Sequence, residues 1–180
     1  MLAQSVPYII VAAVALVLIA ATVVLARLAW RRQVRSYTVG LMGRREAIGA
    51  ALKTIESVIG TLAQGSVPEL LSFTAEGSEE RRAVSEIGDR MKIEVAELAD
   101  LALPKKLWPL ANALGAAASA LGEESGRVGE AEAEAALDAL ASLDLGGVRT
   151  ALDEADGYIS AVSTEYDLTD PSVYGGGLYI

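Results

Sequence analysis

The chain has 180 residues with 24 acidic and 15 Lys/Arg side chains, a net charge of −9, and neither histidine nor cysteine. Those two absences exclude Ser-His and Cys-His nucleophilic catalysis, His- or Cys-ligated metal sites and disulfides. Charge is also divided along the chain: residues 1–53 hold seven Lys/Arg and one acid, Glu46, whereas residues 54–180 hold eight Lys/Arg and 23 acids, a balance that argues against nucleic acid as a partner.

The first element is an uncharged apolar run from Tyr8 to Ala26 that ends at Arg27, with Arg31, Arg32 and Arg35 behind it. At ~1.5 Å per residue a helix of this length covers roughly 28 Å, one crossing of a ~30 Å hydrocarbon core. A cleaved secretory signal would have a positive leading region, a shorter apolar core and a small-residue cleavage site. Here Leu2 to Pro7 carry no charge and arginines follow the run, so a retained anchor over 1–35 is expected. No Lys/Arg precedes the run, while Arg27, Arg31, Arg32, Arg35, Arg44 and Arg45 follow it, which places the N-terminus outside and the C-terminal part in the cytoplasm, beneath a plasma (inner) membrane. Tyr8 and Trp30, ~33 Å apart along a helix, suit the two head-group levels, so Tyr8, Arg27, Trp30, Arg31, Arg32 and Arg35 form the expected membrane interface. Ala12, Ala15, Thr22 and Ala26 share a stripe that allows homo-oligomer contacts through the span, although no Gly-x-x-x-Gly reinforces it.

Residues 36–43 mix β-branched side chains with Gly40 and Gly43, and a juxtamembrane hinge is expected there. Ile48, Leu52, Ile55, Ile59 and Leu62 then step by 4, 3, 4, 3 on one face of a helix from about Gly43 to Gln64. A short helix follows from Pro68 to Thr74. Ser78 is an N-cap for a long helix bearing Val84, Ile87, Met91, Val95, Leu98 and Ala102, closed before Pro104. The next helix carries Leu107, Leu110, Leu114, Ala118 and Leu121, after which Gly122, Gly126 and Gly129 are expected to loosen the chain. A further helix, about Glu130 to Leu143, is expected to bury Ala133, Leu137 and Leu140, with Gly146-Gly147 as its break. The last helix carries Val148, Leu152, Ala155, Ile159, Val162 and Tyr166.

No alternating strand pattern competes with these periods, so the expected fold is all-α: a single N-terminal transmembrane helix, then an antiparallel bundle of four to five helices over 44–168. The uncharged stretch Leu107–Gly122 is too short and too interrupted, by Pro109 and Asn112, for a second crossing. Lys105, Lys106 and Trp108 at its start fit interfacial docking, against which stands the simpler reading of an Ala-rich core helix with a basic cap.

No catalytic residues, cofactor or metal ligands are expected. Glu123, Glu124, Glu130, Glu134 and Asp138 lack calcium-loop spacing and read as a solvated face, and no phosphate loop, nucleophile elbow or Ser-x-x-Lys pair occurs. The tail 169–180 combines Gly175, Gly176 and Gly177 with Tyr174, Leu178, Tyr179 and Ile180, four residues suited either to docking on a protein partner or to folding back on the bundle. Eleven arginines against four lysines suggest a GC-rich bacterial source. The expected function is a membrane-anchored, non-catalytic scaffold or adaptor whose partners are the lipid bilayer and another protein. An accessory subunit of a larger membrane complex is the first alternative, a carboxylate-based metal-binding module the second.

Overall fold

A computed structural model describes residues 6–75 and 78–168, with side chains from Val14 onward. The fold is all-α: α1 (Val6–Ala63), α2 (Val67–Thr74), α3 (Glu79–Asp100), α4 (Trp108–Glu130), α5 (Ala136–Ala141) and α6 (Gly146–Tyr166), with short 3-10 turns at Lys105–Leu107 and Ala133–Ala135. No strand occurs among the described residues. The chain divides into two compact units, Met1–Tyr37 and Thr38–Ile180.

The first unit is helical from Val6, and every side chain from Val14 to Gln33 is exposed. Thr22 satisfies its hydroxyl within the helix by donating to the Leu18 carbonyl, so nothing polar need interrupt the apolar surface.

In the second unit, residues 38–43 are helical and belong to α1, and the boundary between the two units, after Tyr37, falls inside the stretch 36–43 where a hinge is expected. Packing keeps residues 38–43 helical: Thr38 and Leu41 are buried and extend by two turns the stripe formed by Ile48, Leu52, Ile55 and Leu62. Tertiary contact outweighs the ~1 kcal/mol that each glycine costs a helix. Helix α2 opens with Pro68 in its first turn and turns Phe73 inward, where it packs with Leu62, Val84, Val128, Ala136 and Leu140.

Helix α3 begins where expected, with Ser78 Oγ accepting from the Arg81 N–H at 3.2 Å. It ends at Asp100, earlier than the hydrophobic period suggests, and leaves Ala102 exposed outside it. The main correction concerns Gly122, Gly126 and Gly129. They do not loosen the chain, because α4 runs through all three to Glu130. A Cβ on Gly88 would lie 3.2 Å from the Gly126 nitrogen, one on Gly122 would lie 3.2 Å from Met91 Cβ, and one on Gly129 would lie 2.7 Å from Ser85 Oγ. Numbers rise on α3 as they fall on α4, and the absent side chains let the two backbones approach closely. Here glycine is a contact residue rather than a helix breaker.

Because α4 claims residues up to Glu130, the following helix is shorter than expected: α5 spans six residues, burying Ala136 and Leu140, while Ala133 is exposed and Leu137 half-buried. Gly146 and Gly147 form the first turn of α6 rather than a gap before it. Val148, Leu152, Ala155 and Val162 are buried as expected, with Ile159 and Tyr166 half-buried. Asp167 closes α6 in the left-handed region at φ 54°, the Leu168 N–H donates to Ser163 O at 2.9 Å, and the Leu168 side chain is fully buried.

Candidate functional site

Within the first unit, nine large aliphatic side chains between Val14 and Leu28 are 49–71% exposed. At ~1.5–3 kcal/mol for each such group removed from water, this stretch gains on the order of 10–20 kcal/mol in an apolar surrounding. Helix α1 is long and apolar enough to cross a membrane. Directly behind the apolar stretch, Arg27, Arg31, Arg32 and Trp30 are exposed and Arg35 is half-buried. Tyr8, the expected outer partner of Trp30, has its side chain outside the described residues, as do Tyr174, Leu178, Tyr179 and Ile180 of the tail.

Arg44 and Arg45 belong elsewhere. Arg44 donates to Glu94 at 2.5 Å and to Glu97 at 3.0 Å, tying α1 to α3. Burial works against its charge, but the hydrogen bonds and charges of the two glutamates outweigh it and raise its pKa further above the ordinary arginine value. Arg45 grips Asp156 of α6 with two bonds, 2.7 and 2.6 Å, a bidentate geometry that raises its pKa as well. Eleven residues further along α1 and seven back along α6, Arg149 of α6 returns the contact by donating to Glu56 of α1 at 2.7 Å. Arg44 and Arg45 therefore serve the packed unit.

The acidic residues considered as a metal site also have other occupations. Glu124 pairs with Arg127 and accepts from the Asp144 N–H at 3.2 Å. Among the described residues no three carboxylates converge on one point. A shallow groove between α1 and α3 is lined largely by small side chains, Ala47, Ala50, Ala51 and Ala83 among them.

At the start of α4 the structure separates residues that the sequence groups together. Leu107 is fully buried, Trp108 is 51% exposed, and its indole N–H donates to Leu103 O at 3.2 Å. Lys105 sits 6.0 Å from the Trp108 ring centre. Lys106 turns the other way, pairing with Glu165 and lying 5.1 Å from the Tyr166 ring. The Glu165 hydrogen bond is the main cause of its raised pKa. Sequence reasoning missed Arg44, Arg45 and Arg149 as ties between helices, since partners 50 to 111 positions away leave no local signal. It also passed over Glu69, for which the Ser66-Val-Pro-Glu69 spacing was available. Comparison with known proteins finds no matching family model, no similar curated protein and no similar solved structure.

Proposed function

We propose that this protein is a single-pass membrane-anchored scaffold or adaptor, with its N-terminus outside and an antiparallel helical bundle on the cytoplasmic face of a plasma membrane. The observation that carries the reading is the uncharged, exposed surface of α1 from Val14 to Ala26, followed at once by four arginines in nine residues. Such a surface calls for lipid, and the arginines favour retention on the cytoplasmic side. Opposed contacts support the bundle: Arg45 with Asp156 and Glu56 with Arg149 across α1 and α6, and Ser85 with Gly129 across α3 and α4. The adaptor role rests on the lack of histidine and cysteine together with the acidic surface of α4, α5 and α6, which suits a basic protein partner.

The test is mild-detergent recovery of the full-length protein from its native membranes. A stoichiometric partner lost when Glu130, Glu132 and Glu134 are changed to lysine supports an adaptor. Recovery as a lone species of its own mass overturns it. An accessory subunit instead predicts that the detergent-purified chain lacks a cooperative melt until its complex is restored.

A further inference from the structure

We propose that Trp108 and Lys105 form a second lipid contact, docking the α3–α4 turn at the head-group level of the membrane that holds the anchor. This inference rests on the anchor reading above. Two features suit the turn to an interface. The indole is half exposed although its only polar atom is already satisfied by Leu103 O, so the ring presents an apolar face fixed in place. Lys105 lies beside it as the snorkelling cation of such a contact, and exposed Ala102 and Pro109 flank the pair.

The location within the second unit favours lipid over a soluble partner. Arg44 and Arg45, near the start of that unit, contact the last turns of α3 and the middle of α6, and Lys106 reaches Glu165 near the end of α6. The turn at 101–107 therefore occupies the end of the unit that begins at Thr38, three residues beyond Arg35 in the chain. Of the acids at that end, Glu94 and Glu97 are answered by Arg44 and Glu165 by Lys106, while exposed Asp100 at the close of α3 stays as a negative charge beside the turn. Helix α4 itself carries no charge from Trp108 to Gly122, and its acids begin at Glu123.

The chain has two tryptophans, Trp30 and Trp108, so each can be watched alone in the full-length protein. With Trp30→Phe in vesicles of phosphatidylcholine and phosphatidylglycerol, brominated lipid should lower Trp108 emission about two-fold, and adding Lys105→Glu should weaken that quenching. Trp108 emission unchanged by brominated lipid but readily quenched by iodide overturns the docking. A blue-shifted Trp108 without bromolipid quenching overturns it too, and assigns the ring to protein contact. The Trp108→Phe protein separates this failure from that of the anchor: Trp30 quenched while Trp108 is not leaves the anchor standing without docking, whereas quenching at neither refutes both.

Discussion

Glycines in α4 show how one residue type takes opposite roles according to its neighbours. A Cβ on Gly126 meets nothing within 4 Å, so Gly126→Ala should stabilise the protein by ~0.5–1 kcal/mol through helix propensity alone. Gly129→Ala gains the same propensity but drives a methyl to within 3.0 Å of Ser85 Cβ, and net destabilisation of about 1 kcal/mol is expected. Urea titrations of the two variants check the pair, and equal shifts in one direction would refute the close α3–α4 approach. At the start of α2, the Glu69 carboxylate accepts from the Ser66 N–H at 2.5 Å and from its hydroxyl at 2.9 Å, and these bonds, the backbone one first, hold its pKa below the ordinary glutamate value. A depressed folded pKa contributes stability above the unfolded value of ~4.3 that is lost as pH falls through the folded one. The stability gap between wild type and Glu69→Gln should therefore be present at neutral pH and close on acidification. A gap independent of pH would show that the bond stabilises α2 without charge.

Elements were legible in proportion to how completely one face carried their period. Helices α3 and α6 came through because Val84, Met91 and Leu98, and Val148, Leu152, Ala155 and Val162, repeat on faces that are indeed buried. The region after Gly122 is not legible in the sequence, since a glycine at a helix–helix contact and one at a helix end look the same without the partner helix. Ala133, expected inside and found exposed, differs for a related reason: alanine fits a buried or an exposed face equally well. Ion pairs between elements are invisible to local patterns, and they carry a prediction of their own. Arg45 and Asp156 are 32% and 46% exposed, so solvent screens them, and a double-mutant cycle should give a coupling of only ~0.5–1 kcal/mol that shrinks in high salt. By contrast, Leu152→Ala, a truncation in the α6 stripe at a residue 4% exposed, should cost ~2–5 kcal/mol in chemical denaturation. Coupling above the cost of the leucine truncation would reverse the assignment of what holds α1 and α6 together.

For the molecule as a whole, the proposed orientation in the membrane rests on four arginines, and the lack of cysteine makes it directly measurable. Single cysteines at Gln4 and Ser160 should react with an impermeant maleimide differently: the first in intact cells, the second only after permeabilisation. The reverse pattern would overturn the proposed topology. The amino-acid sequence by itself determined the all-helical class, the apolar run with its arginine boundary, the absence of histidine and cysteine chemistry, and most of the buried stripes. These depend on composition and on periods within one segment, which a linear chain displays openly. Only the tertiary structure decided that residues 38–43 stay helical, that Gly122 and Gly129 of α4 are contacts, that Arg44 and Arg45 leave the basic collar for Glu94, Glu97 and Asp156, and that Trp108 faces outward while Leu107 faces in. Each of these depends on what a residue meets across space, and the atoms that decide it lie up to 111 positions away in the chain.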